Sequence, residues 1–134
     1  MLTVKDNLAS ATSSEDRHFM FINTHLHNPM EEWALGDYLR AHQTEQLLHW
    51  MKKRESEVKI DKVFAVGDFN SEPDSTTYRL MKEAGFLSAY EQIHGQEPVE
   101  TFRSCIEAPF ADPDPNACFD YVFFKGDGLS VTDA

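Results

Sequence analysis

Apolar positions along the chain fall into two kinds of pattern. "HFMFINTHL" (18–26) and "KVFAVGDF" (62–69) carry apolar residues at both odd and even positions. Short runs of that kind predict strands buried on both faces. "MLTVKD", "TFRSC" and "FDYVFFK" read as further strands, and "LSVTDA" begins one more. From Asp37 to about Glu55 the period lengthens: Leu39, Gln43, Leu47, Trp50 and Met51 fall on one side, with Arg40, Glu45, Lys52 and Lys53 facing water. That spacing predicts a helix. A second helix is predicted over Thr76 to Ala84, with Asp74 or Ser75 as its N-cap and Gly85 at C′. "NLASATSSEDR" is small and polar and predicts a hairpin loop, whereas "GFLSAYEQIHGQEP" reads as irregular. "IEAPFADPDPNA" carries three prolines and predicts a loop between paired strands. Strands alternate with helices early and pair with each other late. The predicted class is α/β (α+β), a mixed β-sheet with flanking helices.

Composition bounds this picture. A chain of 134 residues, 41% hydrophobic with ten Phe, has the material for one core, so residues 1–134 are read as one unit. The formal charge of −11 argues against avid, unaided binding to a polyanion and leaves room for a divalent cation. No run of about 18 apolar residues is present to span a membrane. "MLTVKDNLAS" lacks the pattern of a signal peptide, so a cytoplasmic location is favoured. Cys105 and Cys118 have no zinc-site spacing. They flank the proline-rich loop; free thiols are the default reading and a disulfide across a hairpin the alternative.

Candidate chemistry sits where the greasy runs end. In "VGDFNSEPDS", Asp68 and Asn70 would share a face if the strand stayed extended, with Phe69 turned to the core. An ionised Asp holds a metal or accepts a proton, and an Asn donates N–H to an anionic oxygen without adding repulsion. The stretch is also rich in turn formers, and a plain strand-to-turn cap explains it equally well. "FINTHLHNP" similarly puts Asn23, His25 and His27 on one face at a strand end. Asp120 lies among Phe119, Tyr121, Val122, Phe123 and Phe124, where an ionised carboxylate is costly unless paired or solvated. Arg103 would pair with it structurally; a histidine that it orients would make it functional.

"NTHLH", "RAHQTEQLL", "VGDFNSEPDS" and "FDYVF", in that order, resemble the endonuclease/exonuclease/phosphatase superfamily, the deoxyribonuclease I-like fold. The resemblance runs from about residue 1 to 132 and is nearest the neutral sphingomyelinase and poly(A)-nuclease side. It implies half of a four-layer α/β/β/α sandwich and Mg²⁺- or Mn²⁺-dependent hydrolysis of a phosphoester (nucleotide, nucleic acid, inositol phosphate or phospholipid headgroup). By resemblance, Asp68 positions or deprotonates water and holds the metal, Asn70 and His25 bind the phosphoryl group, and Asp120 orients a histidine. Arg40, Gln43 and Leu47 match a supporting helix signature. Family members are about twice as long, so the resemblance also implies a C-terminal half. That half would lack an upstream Asn, a metal-binding Glu and a final Ser-Asp-His; Glu15 is a poor substitute, and no histidine follows His94. The chain alone is therefore expected to be weakly active or inactive, and to pair with the missing half-domain or a second copy. Two alternatives stand beside this: a metallohydrolase using His25 and His27 with Asp68, and a non-catalytic binding or assembly module.

Overall fold

The computed structural model describes residues 3–6, 17–28, 33–102 and 116–134. Among these, the elements are β1 (Thr3–Asp6), β2 (Phe19–His25), α1 (Trp33–Glu57), β3 (Lys62–Asp68), α2 (Thr76–Glu83), β4 (Leu87–Ser88), α3 (Ala89–His94), β5 (Asp120–Lys125) and β6 (Leu129–Asp133). The main sheet runs β2-β3-β5-β4, with β2 parallel to β3 and the other pairings antiparallel. A parallel pair needs a crossover, and α1 supplies it. The mixed α/β architecture expected from the pattern is the one observed.

The core lies between the sheet and the helices. Met20, Val63, Ala65, Tyr121 and Phe123 from the sheet cluster with Met51, Tyr78 and Met81 from α1 and α2. Phe69, fully buried, meets Tyr121 and Phe123 edge-on with centroids 5.8 and 5.2 Å apart. Helix α2 starts where Ser75, not Asp74, caps it: the Ser75 hydroxyl accepts from the Tyr78 N–H at 3.1 Å. It ends at Ala84, and Gly85 follows at φ +85°.

Four expectations need correction. First, β2 is not buried on both faces. Among the described residues it is an edge strand, and Phe19 and Phe21 are 57% and 69% exposed while Met20 is buried. Both helices contribute to one face of the sheet only, so the opposite side of β2 gains no cover from them. Second, β1 does not form a hairpin with β2. It pairs antiparallel with β6 in a separate two-stranded sheet. Third, the segment read as irregular contains β4 and α3. Fourth, α1 begins earlier than expected, at Trp33, and its buried stripe runs through Arg40, Thr44 and Met51, leaving Gln43 and Trp50 exposed. Arg40, expected in water, is 4% exposed. Of the expected "TFRSC" strand, Phe102 forms an isolated bridge with Ala117, and Arg103 and Cys105 lie outside the described residues. Cys118 is a buried free thiol.

Candidate active site at the strand ends

Register places the polar groups. His25 lies opposite Asp68, and Asp68 opposite Asp120, so one row across β2, β3 and β5 carries all three. The rows behind it on the same face are Asn23, Val66 and Val122, then Phe21, Phe64 and Phe124. A polar rim thus ends an apolar surface, on the side away from α1 and α2.

Within the row, His25 Nε2 is 3.5 Å from Asp68 Oδ2; the histidine side chain is 71% exposed and the aspartate 34%. Burial pushes the Asp68 carboxyl above the usual carboxylate range. The Asn70 N–H pulls it back, Asp120 pushes it up again and His25 lowers it. Like charges directly opposite on adjacent strands repel, so Asp68 beside Asp120 favours a cation between or near them. Asp120 itself is exposed, and Thr101 Oγ1 accepts from the backbone N–H groups of Phe119 and Asp120, both at 2.9 Å.

Asn70 reaches Asp68 by a turn rather than by an extended strand. The strand ends at Asp68, and Asn70 sits at φ +47°. There its backbone N–H donates to Asp68 Oδ1 at 2.7 Å and its Nδ2 donates to the Leu26 carbonyl at 2.9 Å. Asn tolerates this left-handed conformation better than most residues. The turn reading and the functional reading of "GDFNS" therefore describe one geometry. Gly67 is required for a reason internal to the sheet: at φ +128°, a Cβ would fall 2.0 Å from the Thr24 carbonyl oxygen.

One hollow adjoins the row at Asp120, and another lies beside the Asn70 turn. The first, of about 340 Å³, is lined by Asp120, Thr101, Val66, Val122, Tyr90 and Pro98 among others. The other, of about 240 Å³, is lined by Asn70, Ser71, Arg40, Asp37, Glu72 and Asp74 among others. The carboxylates of Asp68 and Asp120 offer the hard oxygen ligands that Mg²⁺ or Mn²⁺ takes. Among the described residues, no group of three or more His, Cys, Asp or Glu is arranged to hold a metal. The His25–His27–Asp68 alternative gains nothing from this. His27 meets α1 through its backbone, and His94 lies by the Ala134 carbonyl and the Tyr90 ring. Sequence reasoning missed Thr101 and Tyr121 as supports of the site. The Tyr121 hydroxyl donates to the Ser71 and Cys118 carbonyls at 2.7 and 2.9 Å. A buried tyrosine needing a partner was the only available signal; Thr101 carried none.

Comparison with known proteins agrees with this fold. The sequence profile of the Endonuclease/Exonuclease/phosphatase family matches residues 10–134. The fold is similar to the human Nocturnin catalytic domain with bound sulfate (TM-score 0.58, 20% identity, 84% of this chain and 38% of that one). It is similar to truncated Caenorhabditis elegans TDP2 (TM-score 0.56, 15% identity, 94% of this chain and 52% of that one). It is also similar to sphingomyelinase C from Streptomyces griseocarneus (TM-score 0.54, 23% identity, 81% and 37%). At such identities these structures speak to the fold alone, which is deoxyribonuclease I-like in all three. The chain spans about half or less of their lengths. No curated protein matches it in sequence. The profile covers most of the chain and the structural likeness is consistent with it: the chain belongs to the Endonuclease/Exonuclease/phosphatase family.

Proposed function

We propose that the chain carries part of a divalent-metal-dependent site for hydrolysing phosphoesters, phosphodiesters above all. The observation that carries this is the His25–Asp68–Asp120 row, with Asn70 turned back onto Asp68. Family membership supports a hydrolase of phosphoester type. A Mg²⁺ or Mn²⁺ ion held through Asp68 would supply charge neutralisation at the phosphoryl group. The remaining work belongs to the chain's own residues. Asp68 orients the attacking water and accepts its proton; its raised pKa brings it closer to the range where a base is effective. His25, largely exposed beside Asp68, donates to a phosphoryl oxygen, and Asn70 donates to another. Asp120, at the outer end of the row, orients an imidazole supplied from elsewhere in the assembled domain. The substrate is a nucleotide, nucleic acid or phospholipid headgroup.

The uncovered sheet face gives the proposal its second part. Phe19 and Phe21 are exposed, and Phe64, Val66 and Val122 are half-buried. We infer that a complementary half-domain, or a second copy of the chain, covers them in the active form. Among the described residues no helix is long and apolar enough to cross a membrane. A non-catalytic binding module on the same fold is the competing reading. It predicts no turnover in any assembled form.

The test is turnover of a model phosphodiester with Mg²⁺ by the assembled form. Asp68→Ala and Asn70→Ala should each lower it by at least ~10², the cost of losing one group that acts on transition-state charge. Circular dichroism should stay unchanged. Undiminished turnover in Asp68→Ala would end the assignment.

A further inference from the structure

We propose that Arg40, assisted by Gln43, is a positioning residue: from α1 it clamps together the two strand-exit loops, one that follows His25 and one that follows Asp68 and carries Asn70. The functional meaning of the clamp rests on the phosphoester reading above; the clamp itself rests on geometry.

A nearly buried guanidinium costs free energy unless its donors are engaged. Arg40 is 4% exposed, yet its acidic neighbour Asp37 is 3.9 Å away and 44% exposed, too distant and too wet to repay that cost. Its donors point at the loops instead. Nε donates to Ser71 Oγ at 3.0 Å, beyond the end of β3, and Nη1 reaches the His27 carbonyl at 3.5 Å, beyond the end of β2. One turn along the helix, Gln43 Oε1 accepts from the His27 N–H at 3.0 Å. His27 is thus held at both its backbone groups by α1. Ser71 is held from the other side, because its carbonyl accepts from the Tyr121 hydroxyl.

Within the sheet, β2 and β3 are joined by their ladder. Past its end, Leu26 still donates to the Asp68 carbonyl at 2.9 Å and Asn70 Nδ2 to the Leu26 carbonyl. One residue further, no ladder bond continues the pairing among the described residues, and Arg40 bridges His27 and Ser71 there. Only a planar fork spans two acceptors on separate loops in a fixed geometry; a lysine is a single flexible point charge. Turnover is sensitive to such placement, since displacements of about 1 Å cost up to ~10² in rate.

The experiment is amide hydrogen exchange by NMR on the 134-residue chain and its Arg40→Lys, Arg40→Met and Ser71→Ala variants. The readouts are the amides of Leu26, His27 and Asn70, each normalised to Ala65 and Phe123 in the sheet. If Arg40 positions the loops, the three loop amides lose protection by about tenfold or more relative to the sheet. Lysine does not rescue them, and Ser71→Ala loosens Asn70 in the same direction. A loss spread evenly over the chain would show that Arg40 only adds stability, and unchanged loop protection in Arg40→Lys would remove the clamp. Should Arg40→Met fail to fold, Ser71→Ala decides alone. The two readings fail separately. In the assembled form, Arg40→Lys should lower kcat about tenfold with KM within about twofold. Localised loosening without hydrolysis in any form would keep the clamp and overturn the phosphoester reading; hydrolysis with evenly spread loosening would do the reverse.

Discussion

The two faces of the main sheet are built from similar residues and end in different states. On the helix side, Met20, Val63, Ala65, Tyr121 and Phe123 are all below 10% exposed. On the other side Phe124 is buried at the β5 end, but Phe21 lies open at the β2 end beside the half-buried Phe64, their rings 6.4 Å apart. Sequence hydrophobicity is comparable on the two sides; what differs is what the described residues lay over each. The candidate row His25–Asp68–Asp120 ends this second face. Its histidine is mostly solvated, and its two carboxylates sit opposite each other in register. The difference teaches that the described residues complete a scaffold on one side and leave the candidate site at the margin of a more open one.

Mutation should expose that asymmetry. Phe123→Ala, which empties a fully buried site, should cost about 3–5 kcal/mol in chemical denaturation. Phe21→Ala, one strand pair away on the open face, should stay within about 0.5 kcal/mol in the isolated chain. Equal costs for the two would mean that the open face is already covered in solution. The comparison sharpens with a complementing half-domain present: Phe21→Ala should then weaken the assembly measurably by titration calorimetry.

A smaller effect concerns pH. The Asp68 carboxyl is raised in the folded chain, chiefly by burial. A carboxyl raised on folding binds its proton more tightly in the folded state, so it favours folding at low pH. That contribution is lost as pH rises through the carboxylate range and is absent above the folded pKa. Comparing stability across that range, Asp68→Asn should flatten this component of the profile. A profile unaltered by Asp68→Asn would mean that burial does not govern this carboxyl.

Much of this was legible in the chain, for physical reasons. The end of the strand at Asp68 followed from a greasy run that stops abruptly at Gly67, and the α2 boundaries followed from capping chemistry at Ser75 and Gly85. What hid was tertiary. Local apolarity could not tell that Phe19 and Phe21 would lie on an edge strand, because that depends on which strand pairs beyond β2. Charge alone put Arg40 in water, whereas two loops distant in sequence supplied its acceptors. Asn70 was aligned with Asp68 by strand periodicity, but a left-handed turn brings the two together. The pairing of β1 with β6 joins opposite ends of the chain, where no local pattern speaks.

The most direct test of the central claim is complementation. The purified 134-residue chain is assayed with Mg²⁺ and with Mn²⁺ against a model phosphodiester, first alone and then with the proposed complementary half-domain supplied in trans. Because groups that act as a unit lose function together, the account predicts little beyond background for the chain alone. Hydrolysis should appear on complementation and disappear again with Asp68→Ala. Robust hydrolysis by the chain alone that survives Asp68→Ala would contradict it, and would place the chemistry away from the His25–Asp68–Asp120 row.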